Sequence, residues 1–226
     1  MVKERVRVLT ATGDVDLARQ YAQKIKDGAN TLGNRYGLAL ALMNENQAEE
    51  AVKILTPMVQ EHQGITMLHA ALGQAQAKAG HLNAALATFQ HAEQLFPRNV
   101  PVTVRYSETL MAAGRPADAH YMLLDLFNNV APTPDQIRLT ALAASAAGDP
   151  GDAYYYMGEY QLAGGDLNLA AQQYQLALAA PHISVIQRER YQARLDEVRD
   201  YLASTRKRQL TSDNNGGDQQ RRGGGH

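Results

Sequence analysis

The sequence predicts an all-α solenoid of about 12 helices, with a C-terminal capping helix and a disordered tail. Three observations predict it. Ala51, Ala85, Ala119 and Ala153 recur at one constant interval, as small residues do where two helices approach closely. A turn residue lies five positions before each of them: Asn46, Gly80, Gly114 and Gly148. Gly takes the left-handed conformation that ends a helix, and Asn is the next best residue there. The interval is the period of a tetratricopeptide helix pair, and the stretch before Thr205 holds six such periods.

The ladder opens at Ala18, just under one period before Ala51, with Gly13 as its turn. The next unit carries Leu38, Ala39, Leu42, Ala51 and Leu55. Thr66 to Asn99 shows the pattern most fully. Leu72 and Gly73 occupy the packing positions of its first helix, and Gly80 makes the turn. Ala85, Phe89 and Ala92 follow at i, i+4 and i+7 on one helix face, and Pro97 stops the helix. Leu-Gly, Ala, Phe, Ala and Pro at these offsets form the tetratricopeptide signature, so the fold class is a tetratricopeptide-like (TPR-like) α-solenoid. The aromatic usual near the start of the unit is replaced by His69. Tyr106, Leu110, Gly114, Ala119, Leu123 and Leu126 make the following unit, which ends before Pro132.

The ladder then slips by half a period. Ala153 closes the unit begun at Pro134, yet Met157, Gly158, Gly165, Ala170, Tyr174 and Ala177 define another unit starting at Gly151. One helix therefore serves two pairs, and Asp135 to Ala147 becomes an extra helix. A disturbed superhelix is expected near residues 132–151. Ile183 to Leu202 reads as a long final helix, with Tyr191, Leu195, Val198 and Leu202 on one face and a charged opposite face. A repeat stack needs such a cap. The domain reading is a superhelical domain over 1–204 and a basic, Gly-rich tail over 205–226. The tail is too polar to offset its ordering entropy.

Composition excludes several functions. The chain has no Cys, which removes thiolate zinc sites and cysteine nucleophiles. No apolar window is long enough to span a membrane. The net charge is −1, and about −4 once the basic tail is set aside, which argues against nucleic acid as a partner. No two of the seven His have the i, i+4 spacing of a zinc-protease helix. There is also no nucleophile elbow and no phosphate-binding loop. The chain itself is therefore expected to be non-catalytic, without a metal or cofactor.

The candidate site is a protein-binding groove. In a tetratricopeptide unit, offsets 2, 5, 6, 9, 12 and 13 of the first helix face the concave side. Those offsets select Tyr36, Leu40 and Met43; Met67, Gln74 and Lys78; Arg105, Glu108 and Met111; Arg138 and Leu142; and Tyr155, Tyr156 and Glu159. Tyrosine rings give contact area at low entropy cost, and Met-rich walls suit variable apolar segments. Tyr154 and Tyr160 are expected to pack between helices. The set lacks the Lys/Asn/Arg cluster that would clamp a C-terminal carboxylate.

The C-terminal region is more specific. Gly158, Glu159, Tyr160, Gln161, Leu162, Ala163 and Gly164, then Ala170 and Leu178, then the run Arg190 to Arg199 with Tyr191, Ala193, Arg194, Leu195, Asp196 and Val198, resemble the end of the BepA-type periplasmic zinc metalloproteases of Gram-negative bacteria. Lys3 to Thr10 resembles the segment that follows their protease domain. The resemblance covers roughly residues 2–202. It implies an interaction domain of the periplasm that packs on its own protease domain. It also implies docking on the outer-membrane β-barrel assembly machinery and on unfolded or stalled outer-membrane proteins. Zinc is then expected in the protease domain. The signal peptide, the zinc ligands and the catalytic Glu of the family are not in this sequence, so the expectation is an excised domain or a truncated paralogue, the former favoured. The alternative reading is a free-standing tetratricopeptide scaffold or assembly factor of the cell envelope.

Overall fold

Five turns share one hydrogen bond. The backbone N–H groups of Gln47, His81, Arg115, Asp149 and Asp166 donate to the carbonyls of Leu42, Gln76, Leu110, Ala144 and Gln161 at 2.8–2.9 Å. Each donor follows a residue with positive φ: Asn46 at 60°, Gly80 at 84°, Gly114 at 74°, Gly148 at 82° and Gly165 at 85°. This is the helix-ending motif that a left-handed residue makes possible. The turns at Gly148 and Gly165 are only half a period apart, so the slip in the ladder is present in the backbone.

The computed structural model of the protein describes residues 1–11 and 16–221, with side chains as far as Arg206. Gly13 of the ladder lies outside the described residues. The chain divides into two units, Met1–Val130 and Ala131–His226, each with its own core.

The first unit contains α1 (Val2–Thr10), α2 (Leu17–Lys26), α3 (Leu32–Asn44), α4 (Ala48–Glu61), α5 (Thr66–Lys78), α6 (Leu82–Leu95), α7 (Val100–Ala112) and α8 (Pro116–Phe127). Helices pair as α3 with α4, α5 with α6 and α7 with α8, and successive first helices touch. Ala51, Ala85 and Ala119 are fully buried at the ladder positions. Gly73 lets the Phe89 ring lie against its helix; a Cβ there would meet the ring at 2.6 Å. His69 fills the slot where an aromatic is usual. It is fully buried, its ring sits 5.7 Å edge-on from Phe96, and Nε2 donates to the Gln63 carbonyl at 2.8 Å. The imidazole thus restores the missing ring contact and closes the preceding loop.

The second unit contains α9 (Pro134–Ala146), α10 (Pro150–Ala163), α11 (Leu167–Ala179) and α12 (Val185–Arg221). Pro134 and Pro150 open their helices, where a missing N–H costs nothing. Asp149 and Asp166 cap α10 and α11 by accepting from the backbone of Asp152 and Leu169 at 2.9 Å. α10 packs on both α9 and α11, so one helix does serve two pairs. Its Gly158 lies against the Tyr174 ring of α11, repeating the spacing of Gly73 and Phe89. α12 packs on α11 and α10 through Tyr191, Leu195 and Val198. Its backbone continues past Leu202 to Arg221. Residues 222–226 lie outside the described residues. Twelve helices and no strand are found among the described residues, so the all-α solenoid reading holds.

Candidate functional site

In the first unit, α3, α5 and α7 present the residues selected for the groove. α1 alters what they offer. Val8 of α1 is buried in the same core as Tyr36, Leu40 and Met43, whose exposures fall to 0%, 7% and 3%. Arg5 Nη1 donates to the Tyr36 hydroxyl at 3.4 Å. The offsets select these three as groove lining; the structure makes them core, because α1 lies along α3 and covers them. Leu40 and Met43 still form part of the floor beneath a small cleft, whose walls include Gln74 and Lys78 of α5 and Arg105 of α7. Gln74, Lys78 and Arg105 also line a larger cleft of about 300 Å³ that reaches Glu108. Five of the selected residues therefore converge with α1, and Glu108 joins them at the adjoining end. Met67 is instead half-buried against the core of this unit.

Polar partners fix the walls. Lys78 Nζ donates to the Met43 carbonyl at 3.3 Å. Arg105 Nη1 donates to Glu108 Oε2 at 2.8 Å, an i, i+3 pair on α7. The contribution of Arg5 is not readable from the offsets, because α1 has no ladder residue to set its register. The alternation of Val with Arg and Lys from Val2 to Val8 is the signal available for it.

In the second unit, the side chains of α12 contact Tyr155, Tyr156 and Glu159. The Arg190 guanidinium lies 4.5 Å from the Tyr155 ring centre and 5.9 Å from that of Tyr156. Tyr155 stacks on Tyr191 at 5.0 Å with the rings 26° apart. Glu159 accepts from Arg194 Nε at 2.7 Å and Nη2 at 3.0 Å, and from the Tyr174 hydroxyl at 2.6 Å. Asp152, buried in α10, accepts from Arg190 and from the Tyr191 hydroxyl at 2.6 Å. The three residues selected for the groove are thus the seat of the capping helix. The offsets describe α10 alone; they carry no information about which helix lies over it.

The electrostatics follow this packing. Burial pushes the Tyr155 phenol up to about 12, and the Glu159 carboxylate adds to the rise. Burial likewise raises Tyr156, and raises Tyr174 and Tyr191 together with their hydrogen bonds to Glu159 and Asp152. The hydrogen bond to Glu159 leads the forces that hold the Arg194 guanidinium charged. Arg138 is exposed on α9, and Leu142, 48% exposed, lines a separate shallow cleft with Tyr154 and Met157.

The histidine spacing does not match that of a zinc-protease helix. No helix among the described residues is long and apolar enough to cross a membrane.

Residues 76–143 match the tetratricopeptide repeat family. Solved structures with a similar fold include MamA, at 15% identity and a TM-score of 0.54 over 72% of this chain and 90% of that one. The MamA fragment from residue 41 onward of Desulfovibrio magneticus RS-1 gives 14% identity and 0.52, covering 86% and 98%. A tetratricopeptide repeat protein from Parabacteroides merdae ATCC 43184 gives 11% identity and 0.52, covering 87% and 79%. These likenesses concern the fold alone. No curated protein matches the sequence. Residues 76–143 thus carry tetratricopeptide repeats, a type of domain that generally binds proteins and needs no cofactor.

Proposed function

We propose that this chain is the protein-binding part of a periplasmic zinc metalloprotease, and that its first unit receives segments of outer-membrane assembly machinery or of unassembled outer-membrane proteins. The observation that carries protein binding is the cleft in which α1, α3, α5 and α7 converge. It pairs apolar floor residues, Leu40 and Met43, with the long polar arms of Gln74, Lys78 and Arg105. Apolar surface supplies affinity for a protein segment, and the polar arms orient it. The finer reading, of periplasm, protease and outer-membrane partners, is supported by the likeness of Gly158–Gly164 and Arg190–Arg199 to the end of the BepA-type proteases. In that reading zinc and the hydrolytic step belong to a protease domain, and this chain brings substrate or machinery to it.

The test is capture. Immobilised chain is challenged with detergent-solubilised β-barrel assembly complex and with a urea-unfolded outer-membrane protein. Retention of either, weakened by Lys78→Glu with helicity unchanged by circular dichroism, is the expected result. No retention of either would remove the outer-membrane reading.

A further inference from the structure

Three cations from three helices meet in the small cleft of the first unit: Arg5 of α1, Lys78 of α5 and Arg105 of α7. Arg105 has a carboxylate partner, Glu108. Among the described residues, Arg5 and Lys78 do not. Arg5 is hydrogen-bonded to the neutral Tyr36 hydroxyl at 3.4 Å, and Lys78 to the neutral Met43 carbonyl at 3.3 Å. These lengths are at the weak end for any hydrogen bond and well beyond those of a charge-assisted one. The cleft therefore holds more positive than negative charge, in a chain whose net charge is −1. Leu9, Leu40 and Met43 set the cations against apolar walls, which focus the field of the cleft.

We infer that this cleft takes a carboxylate carried on an apolar protein segment, with Lys78 and Arg5 as its charged partners and the exposed Leu9 meeting the neighbouring side chains. The inference rests on the reading of the first unit as a protein-binding cleft. It also revises the expectation that no carboxylate-binding cluster exists here: the offsets of α5 and α7 supply Lys78 and Arg105, and Arg5 arrives from a helix outside the ladder. The carboxylate comes from an Asp or Glu side chain or from a chain terminus. Both offer the same two oxygens to an ammonium and a guanidinium.

Fluorescence anisotropy on the full chain separates the possibilities with three labelled short peptides of one apolar sequence. The first carries an internal Asp and an amidated end, the second a free terminal carboxylate alone, and the third neither. At least one carboxylate-bearing peptide is expected to bind about tenfold more tightly than the neutral one, an advantage that shrinks as salt rises. The tighter of the two identifies the source. Lys78→Gln, at an exposed position, should erase most of that advantage while leaving helicity in place, and Arg5→Gln should act in the same direction. Equal binding of all three peptides, or an advantage that survives Lys78→Gln and Arg5→Gln together, overturns the inference and leaves protein binding standing. Failure of all three to bind removes both.

Discussion

Asn46 stands at φ 60° in a turn whose counterparts are Gly80, Gly114, Gly148 and Gly165. A left-handed backbone is costly for a residue with a Cβ, and Asn bears it better than Ala. Asn46→Ala should therefore lower stability by about 1 kcal/mol, whereas Asn46→Gly should not lower it; urea denaturation of both variants checks this. Gly158 is constrained for a different reason. The Tyr174 ring lies where its Cβ would be, so Gly158→Ala should cost about 1–3 kcal/mol by overpacking, read as a lower unfolding midpoint. The buried phenols set a pH dependence. In the unfolded chain Tyr155 ionises near its ordinary value of about 10, and in the fold burial holds it neutral up to about 12. Its contribution is thus complete below about pH 10 and is lost as pH rises toward 12. Urea midpoints measured from about pH 9 to 12 should fall over this interval, and less steeply for Tyr155→Phe.

At the scale of helices, α12 is held to α10 by charge and by rings at once. Asp152 receives both Arg190 and the Tyr191 hydroxyl, and Glu159 receives Arg194 and Tyr174. Asp152 is buried while Arg190 is part-exposed, and removing the carboxylate strands the guanidinium and the Tyr191 hydroxyl together, at about 1–3 kcal/mol. Asp152→Ala should therefore speed amide exchange over residues 185–202 far more than Asp196→Ala, whose side chain is exposed. Similar rates in the two variants would show that apolar contacts alone seat the helix. Two helices also mark the limit of what the sequence could disclose. The Gly and Ala ladder identified where helices end and which faces meet, because turn geometry and close approach demand particular residues. It could not show that α1 covers Tyr36, Leu40 and Met43, or that α12 covers Tyr155 and Tyr156. A residue directed away from its own pair has the same signature whether water, a ligand or another helix lies beyond it. Gln74, Lys78, Arg105 and Glu108, selected by the same offsets, lie along open clefts.

At the scale of the whole chain, each unit buries its own core, so damage should stay local. Leu55, Met58 and Leu68 are fully buried in the first unit, as are Tyr174 and Tyr191 in the second. Hydrogen exchange on Leu55→Ala should show lost protection in α3 to α6 with α10 to α12 little changed, a cost of about 2–5 kcal/mol falling on one unit. Equal loss throughout would mean that the two cores melt as one. Near neighbours in space are near neighbours in sequence here, as in other stacked-helix arrays, and stability then adds up unit by unit. A helix that carries both packing codes, as α10 does with Ala153 for α9 and Gly158 for α11, can join two arrays that are out of phase. Lineages or designers that gain or lose sequence beside α10 can do so one helix at a time and still bury every face, whereas within α3 to α8 only whole helix pairs can be exchanged.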